Sequence, residues 1–445
     1  MAAMDVDTNA DPGSDADARP ASAVGPMVGV SGLVGLILWV LVARTFDYSG
    51  PNASLCAMLA CAGPMILWSI AVDKVHRRAS TGIDWSVPPR PWRETRETSI
   101  VKIVGLWATW AGIAFLYCLG RWYWEDPYLF SMRLLGWAAG PLVLLSVPYI
   151  LWIDRRLKAP RDGSWHFGQL VIGRTSLVDR TAVHDHLRSW AVKGFFLAFM
   201  IAIVPGNWFR VITPSGAEIG TNILTLTRWL VSCMFMVDTV FATVGYALTL
   251  KPLDSHIRSA NPYAAGWMAA LICYPPFIMM GEGRPLNYHP GTMGDDGWVY
   301  WLDGYPALIA LWALLLVLLT AVYAWATVAF GIRFSNLTHR GILTGGPYRL
   351  TKHPAYVSKN AFWWLATLPF FATTHNLNDA IRNTMLLALV SGVYYWRART
   401  EERHLMADPA YRAYADWMDR HGPMTRLLRR LSGRPAGPPA AVPAE

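Results

Sequence analysis

Apolar residues in this chain fall into ten runs, most of them near 20 residues long, separated by polar stretches. The runs cover roughly 27–44, 53–72, 100–120, 132–153, 190–206, 222–249, 262–281, 304–329, 358–373 and 380–397. A helix of about 20 residues crosses the ~30 Å hydrocarbon core of a bilayer. The pattern therefore predicts an all-α, polytopic membrane helical bundle of about ten transmembrane helices. The ninth run is short and owes its apolar character to Trp and Phe.

The polar stretches alternate in charge. Loop 73–99 carries Lys74, Arg77, Arg78, Arg90, Arg93 and Arg96 against four acids. Loop 154–187 is similar, with Arg155, Arg156, Lys158, Arg161, Arg174 and Arg180. The stretch 330–357 holds Arg333, Arg340, Arg349 and Lys352 and no acid. Loop 282–303, between the others, has Glu282, Asp295, Asp296 and Asp303 against Arg284 alone. Lys and Arg gather on the cytoplasmic side of membrane proteins. This places both termini in the cytoplasm, as an even number of spans requires.

Composition agrees. Of 445 residues, 53% are hydrophobic and 16% charged, with 23 Trp and a net charge of +9. That excludes an ordinary soluble enzyme, and the basic balance reads as cytoplasmic loops, with no nucleic-acid partner. Cys56, Cys61, Cys118, Cys233 and Cys273 all lie in apolar runs without metal-type spacing. His184 and His186 are two apart and share no helix face, so no metal site is expected. Residues 1–25 form an acidic tail with Asp5, Asp7, Asp11, Asp15 and Asp17, expected to be disordered. Residues 431–445, rich in Pro and Ala, are expected to be disordered as well. An extension of about six helices (26–260) and a C-terminal core (261–430) lie between the tails. Abundant Ala, Arg and Trp point to a GC-rich bacterial genome and hence an inner membrane.

The chemistry concentrates near the C-terminal end. Gly345-Gly346-Pro347 is a turn signal. Arg349, Lys352 and His353 follow it with no local acid, a set able to hold a carboxylate or phosphate. Beyond the tenth run, Tyr395, Arg399 and Glu402 have helical spacing, and Glu402 could receive an ammonium or a hydroxyl. The residues alone favour a topology anchor or a lipid-headgroup contact.

The order of motifs narrows this. Gly346-Pro347-Tyr348 is followed by Lys352-His353-Pro354-Ala355-Tyr356 and two apolar runs. Then come Arg397-Ala398-Arg399-Thr400-Glu401-Glu402, Leu405, Tyr411 and Tyr414. This stretch, about 341–430, resembles the isoprenylcysteine carboxyl methyltransferase and phospholipid methyltransferase superfamily. The resemblance implies S-adenosylmethionine as cofactor, bound at the cytoplasmic face. It also implies a lipid or isoprenoid acceptor (a carboxylate, amine or thiol) entering from the bilayer.

By this similarity Tyr348, Lys352, His353, Pro354, Tyr356, Arg399, Glu401, Glu402, Tyr411 and Tyr414 would line the cofactor site, with His353, Glu402 and Arg399 nearest the chemistry. Lys352 stands where Arg is usual, and Lys359 adds a charge at the pocket mouth. Asn360, Trp363 and Trp364 are candidates for the acceptor path, as is Asp238, mid-span, where an acid needs a partner or a cavity. Two other readings remain: an NADPH-dependent sterol-type double-bond reductase, which the same core resembles, and a non-enzymatic transporter or scaffold.

Overall fold

A computed structural model describes residues 18–432. The chain is an all-α bundle. Helices α1 (Pro26–Thr45) and α2 (Pro51–Ala71) form a hairpin, followed by α3 (Trp92–Gly120) and α4 (Leu129–Asp154). A short α5 (Gly163–Val171) precedes α6 (Arg180–Ile212), α7 (Gly216–Ile219) and α8 (Ile223–Ala247). The second half holds α9 (Ala264–Leu271), α10 (Gly297–Trp301), α11 (Pro306–Phe330), α12 (Pro354–Thr367), α13 (Leu377–Leu405), α14 (Pro409–His421) and α15 (Pro423–Ser432). Strands β1 (Ser259–Ala260) and β2 (Thr338–His339) pair antiparallel, Ser259 opposite His339.

The starts follow from local sequence. Proline opens α1, α2, α11, α12 and α14, where its missing N–H costs nothing. Asn222 caps α8 in a reciprocal box with Thr225, and Asp408 accepts from the Ala410 amide at α14. Helices meet closely at glycines. A Cβ on Gly29 of α1 would stand 2.0 Å from the Val328 carbonyl oxygen of α11. Gly105 of α3 and Gly168 of α5 are each pressed against the other's helix in the same way.

Among the described residues, seven helices are long and apolar enough to cross a membrane: α1, α2, α3, α4, α6, α8 and α11. The most apolar stretch of α8 is 61% buried and that of α4 only 11%, so α8 runs through the protein and α4 presents its side chains outward. Trp137 and Leu144 on α4 are exposed apolar groups of the kind a bilayer covers.

The three remaining expected runs differ. Run 262–281 yields only the eight residues of α9, because Pro275-Pro276 lies in the irregular chain beyond it. Helix α12 has 14 residues, about 21 Å of rise, and ends at Leu368 in a left-handed conformation just before Pro369. Helix α13 has 29 residues, but its last third is charged.

Part of the N-terminal segment expected to be a tail packs on the bundle. Residues 1–17 and 433–445 lie outside the described residues. Residues within 18–25, however, are bound to the core. The Ala23 amide donates to the Ile342 carbonyl at 2.8 Å, and the Thr344 hydroxyl donates to the Pro20 carbonyl at 2.7 Å. Arg78 donates to the Ala23 carbonyl at 2.7 Å. These partners satisfy a backbone that has no helix or strand of its own.

Candidate functional site

Helix α11 stops at Gly331, which takes φ +51°. The chain then runs through β2 and turns at Gly341 (φ +105°), where a Cβ would lie 2.5 Å from Arg333 and 2.6 Å from Ala23. Two buried arginines fix this loop. Arg333 donates to Asp254 at 2.6 Å and to the Arg340 carbonyl at 2.9 Å. Arg340 donates to the backbone carbonyls of Gly245, Leu248, Ser255, Ile332 and Phe334. A 3-10 turn over Gly346–Arg349, with Gly346 at φ +57°, leads to His353 at the head of α12.

The loop has no acid in its own sequence, yet it is not left unneutralised. Helices α13 and α14 return across it. Lys352 meets Glu402 at 3.3 Å and Asp419 at 3.8 Å. His353 Nε2 donates to Glu402 Oε1 at 2.9 Å, joining residues 49 apart. Arg399 pairs with the other Glu402 oxygen at 2.9 Å. Burial by itself raises the Glu402 pKa. The His353 hydrogen bond and the charges of Lys352, His353 and Arg399 overcome it and hold the carboxyl down at about 2. Glu402 is thus a fixed anion that locks the two motif segments together.

Next to this lock lies a cavity of about 150 Å³. Tyr348, Lys352, His353, Tyr356, Glu401, Leu405, Tyr411 and Tyr414 are on its wall. The Tyr356 hydroxyl donates to Glu401 at 3.0 Å, and its ring stacks on His353 with centroids 5.6 Å apart. The Tyr414 hydroxyl donates to the Tyr348 carbonyl at 2.8 Å, seating α14 on the turn. Beside these, Thr338 Oγ1 is buried on the cavity wall without a hydrogen-bond partner, and so can serve a ligand.

Not every expected residue reaches the cavity. Arg399 is 61% exposed and acts on the site only through Glu402. Arg349 and Tyr395 are exposed. Pro354 is buried as the first residue of α12. Asn360 donates back to the Tyr356 carbonyl within its helix, and the Trp364 indole donates to Ser391 of α13 at 3.0 Å. Trp363 packs on Tyr394, ring centroids 5.1 Å apart. Asp238 does line the cavity, and both its oxygens accept hydrogen bonds of 2.6 Å, from Tyr323 and Thr327. Asp238 thus has both hydrogen-bond partners and a place on the cavity wall.

Lys359 lies further in than a pocket mouth, more than a turn along α12, on the cavity wall. Sequence reasoning overlooked Tyr323, Thr327, Tyr394 and Arg397 as lining residues. Arg397 carried a signal, an arginine at the end of an apolar run. Tyr323 and Thr327 carried only their i,i+4 spacing in α11. The polar link 254–262 is also drawn in: Asp254 anchors Arg333, Ser259 bonds His404 at 2.9 Å, and Asn261 donates to the Thr400 carbonyl.

Compared with protein-family models, with curated proteins and with solved structures, the chain matches none. The function is therefore argued from the site itself.

Proposed function

We propose that this chain is an integral membrane methyltransferase that moves a methyl group from S-adenosylmethionine to a membrane-embedded lipid or isoprenoid acceptor. One observation carries the reading. The two motif segments that resemble the methyltransferase superfamily converge on one cavity and are locked by the His353–Glu402 contact. In this reading α9, α12 and α13 complete the ten spans together with the chain around them. The basic loops and both termini face the cytoplasm of a bacterial cell, and the cavity opens to that side.

The donor set fits such a cofactor. Glu401 can take an ammonium or a ribose hydroxyl, Tyr348, Tyr411 and Tyr414 give aromatic walls, and Thr338 supplies an unused hydroxyl. The bound cofactor would supply an already activated methyl group on sulfur. The protein's own part is then alignment and exclusion of water. A carboxylate or thiolate acceptor needs no base. For an amine, His353 can hold the proton. Glu402 suits that task poorly, because Lys352, Arg399 and the His353 hydrogen bond stabilise its anion.

Calorimetric titration of the purified protein with S-adenosylhomocysteine tests the reading. Binding is expected in the wild type, weakened about tenfold or more in Glu402→Ala, since a hydrogen bond to a charged group contributes roughly 1.5–3 kcal/mol. No binding, combined with thermal protection by NADPH, would instead support a double-bond reductase.

A further inference from the structure

The inner end of the cavity holds charges that the cofactor reading does not use. Lys359 lies six residues into the numbering of α12, Tyr323 seven before the end of α11, and Asp238 nine before the end of α8. Each is thus about 7–13 Å inside its helix end. The Lys359 ammonium stands 5.0 Å from the Tyr323 ring centroid and 5.3 Å from that of Trp363. Arg397 is 6% exposed. It lies over Tyr274, Tyr356 and Tyr394, at 5.6, 5.2 and 5.2 Å, and donates to Asn336 at 3.3 Å.

Among the described residues, no carboxylate lies within 4.0 Å of Lys359 or Arg397. Ring faces attract a cation but replace only part of the hydration that burial removes. Asp238 is within electrostatic reach of Lys359 without touching it, and its oxygens are already occupied by Tyr323 and Thr327. Both cations and Asp238 border the same empty space. At this inner end Arg397 and Lys359 outnumber Asp238 by one, while Glu401, the other acid on the cavity wall, accepts from the Tyr356 hydroxyl.

We propose that this inner end is a subsite for the singly charged anionic headgroup of an amphiphile, a carboxylate or a phosphodiester, held by Arg397 and Lys359. The guanidinium fork suits the paired oxygens of either group. Asp238 lowers the local positive charge and disfavours a doubly charged phosphate monoester. Within the methyltransferase reading, on which this step rests, the amphiphile is the acceptor; its binding as such needs no cofactor.

The test uses the full chain in detergent, with its unfolding midpoint followed against palmitate, palmitamide and lysophosphatidylglycerol. An anionic probe is expected to raise the midpoint and neutral palmitamide to leave it in place. A response to palmitate alone assigns a carboxylate, and one to the lysolipid alone assigns a phosphodiester. Lys359→Met is expected to weaken anion binding about tenfold, the loss of one charge-assisted contact. Asp238→Asn is expected to strengthen it, a gain that a purely structural role for these charges would not give.

Equal stabilisation by palmitate and palmitamide, or anion binding unchanged in both variants, overturns the proposal. Titration of the same preparation with S-adenosylhomocysteine separates the two readings. Cofactor binding without anion selectivity sinks the subsite alone. Anion selectivity without cofactor binding sinks the methyltransferase reading and leaves the subsite standing.

Discussion

Glu402 concentrates the electrostatics of the site. Its pKa is held near 2, below its unfolded value, so the folded state binds this proton less readily than the unfolded chain. The stabilisation it gives is complete above the unfolded carboxylate range. It is lost as pH falls from about 5 toward 2, and amounts to on the order of 3 kcal/mol. Unfolding midpoints measured across that window should fall steeply in the wild type and much less in Glu402→Gln. Gly341 is a second sensitive position. Its φ of +105° and its neighbours Arg333 and Ala23 leave no room for a side chain. Gly341→Ala is expected to cost about 1–3 kcal/mol, with chemical unfolding as the readout.

At the scale of elements, the Tyr414 hydroxyl ties α14 to the turn before α12 through the Tyr348 carbonyl. Tyr414→Phe leaves that buried carbonyl unpaired, at a cost of about 1–3 kcal/mol. S-adenosylhomocysteine affinity should drop with it, as calorimetry would register, because Tyr348 and Tyr414 share the cavity wall. How legible these elements were in the sequence depended on their partners. The seven helices long and apolar enough to cross a membrane were visible as runs of apolar residues. Helices α9 and α12 were overestimated, since Pro275-Pro276 and Leu368-Pro369 stop a helix whatever the hydropathy beyond them. The motif residues were legible by order and spacing. The acids that neutralise Lys352 were not, because Glu402 and Asp419 reach it only through the return of α13 and α14.

For the whole molecule, Asp254 ties the N-terminal helices to the C-terminal site. It is 1% exposed and meets Arg333 at 2.6 Å, Arg258 at 3.4 Å, Arg78 at 3.8 Å and the Ser80 hydroxyl at 2.9 Å. Arg78 in turn holds Ala23, whose amide is bonded to the cavity loop at Ile342. Asp254→Ala strands the buried Arg333 and is expected to cost about 3–5 kcal/mol. A thermal scan should show that loss, together with weaker S-adenosylhomocysteine binding, although Asp254 is not on the cavity wall. The +9 net charge of the chain is thus partly structural. Arg333 and Arg340 are buried braces, Lys352 is tied to acids, and Arg397 and Lys359 face the cavity. The activity proposed for the whole molecule is methyl transfer to a membrane-borne acceptor. The purified protein, reconstituted with lipid extract from its own host membrane and given S-adenosylmethionine labelled in the methyl group, tests it most directly. Label appearing in the organic phase with wild type, and absent with His353→Ala, is the expected result. No label in lipid from a preparation that still binds S-adenosylhomocysteine would contradict it.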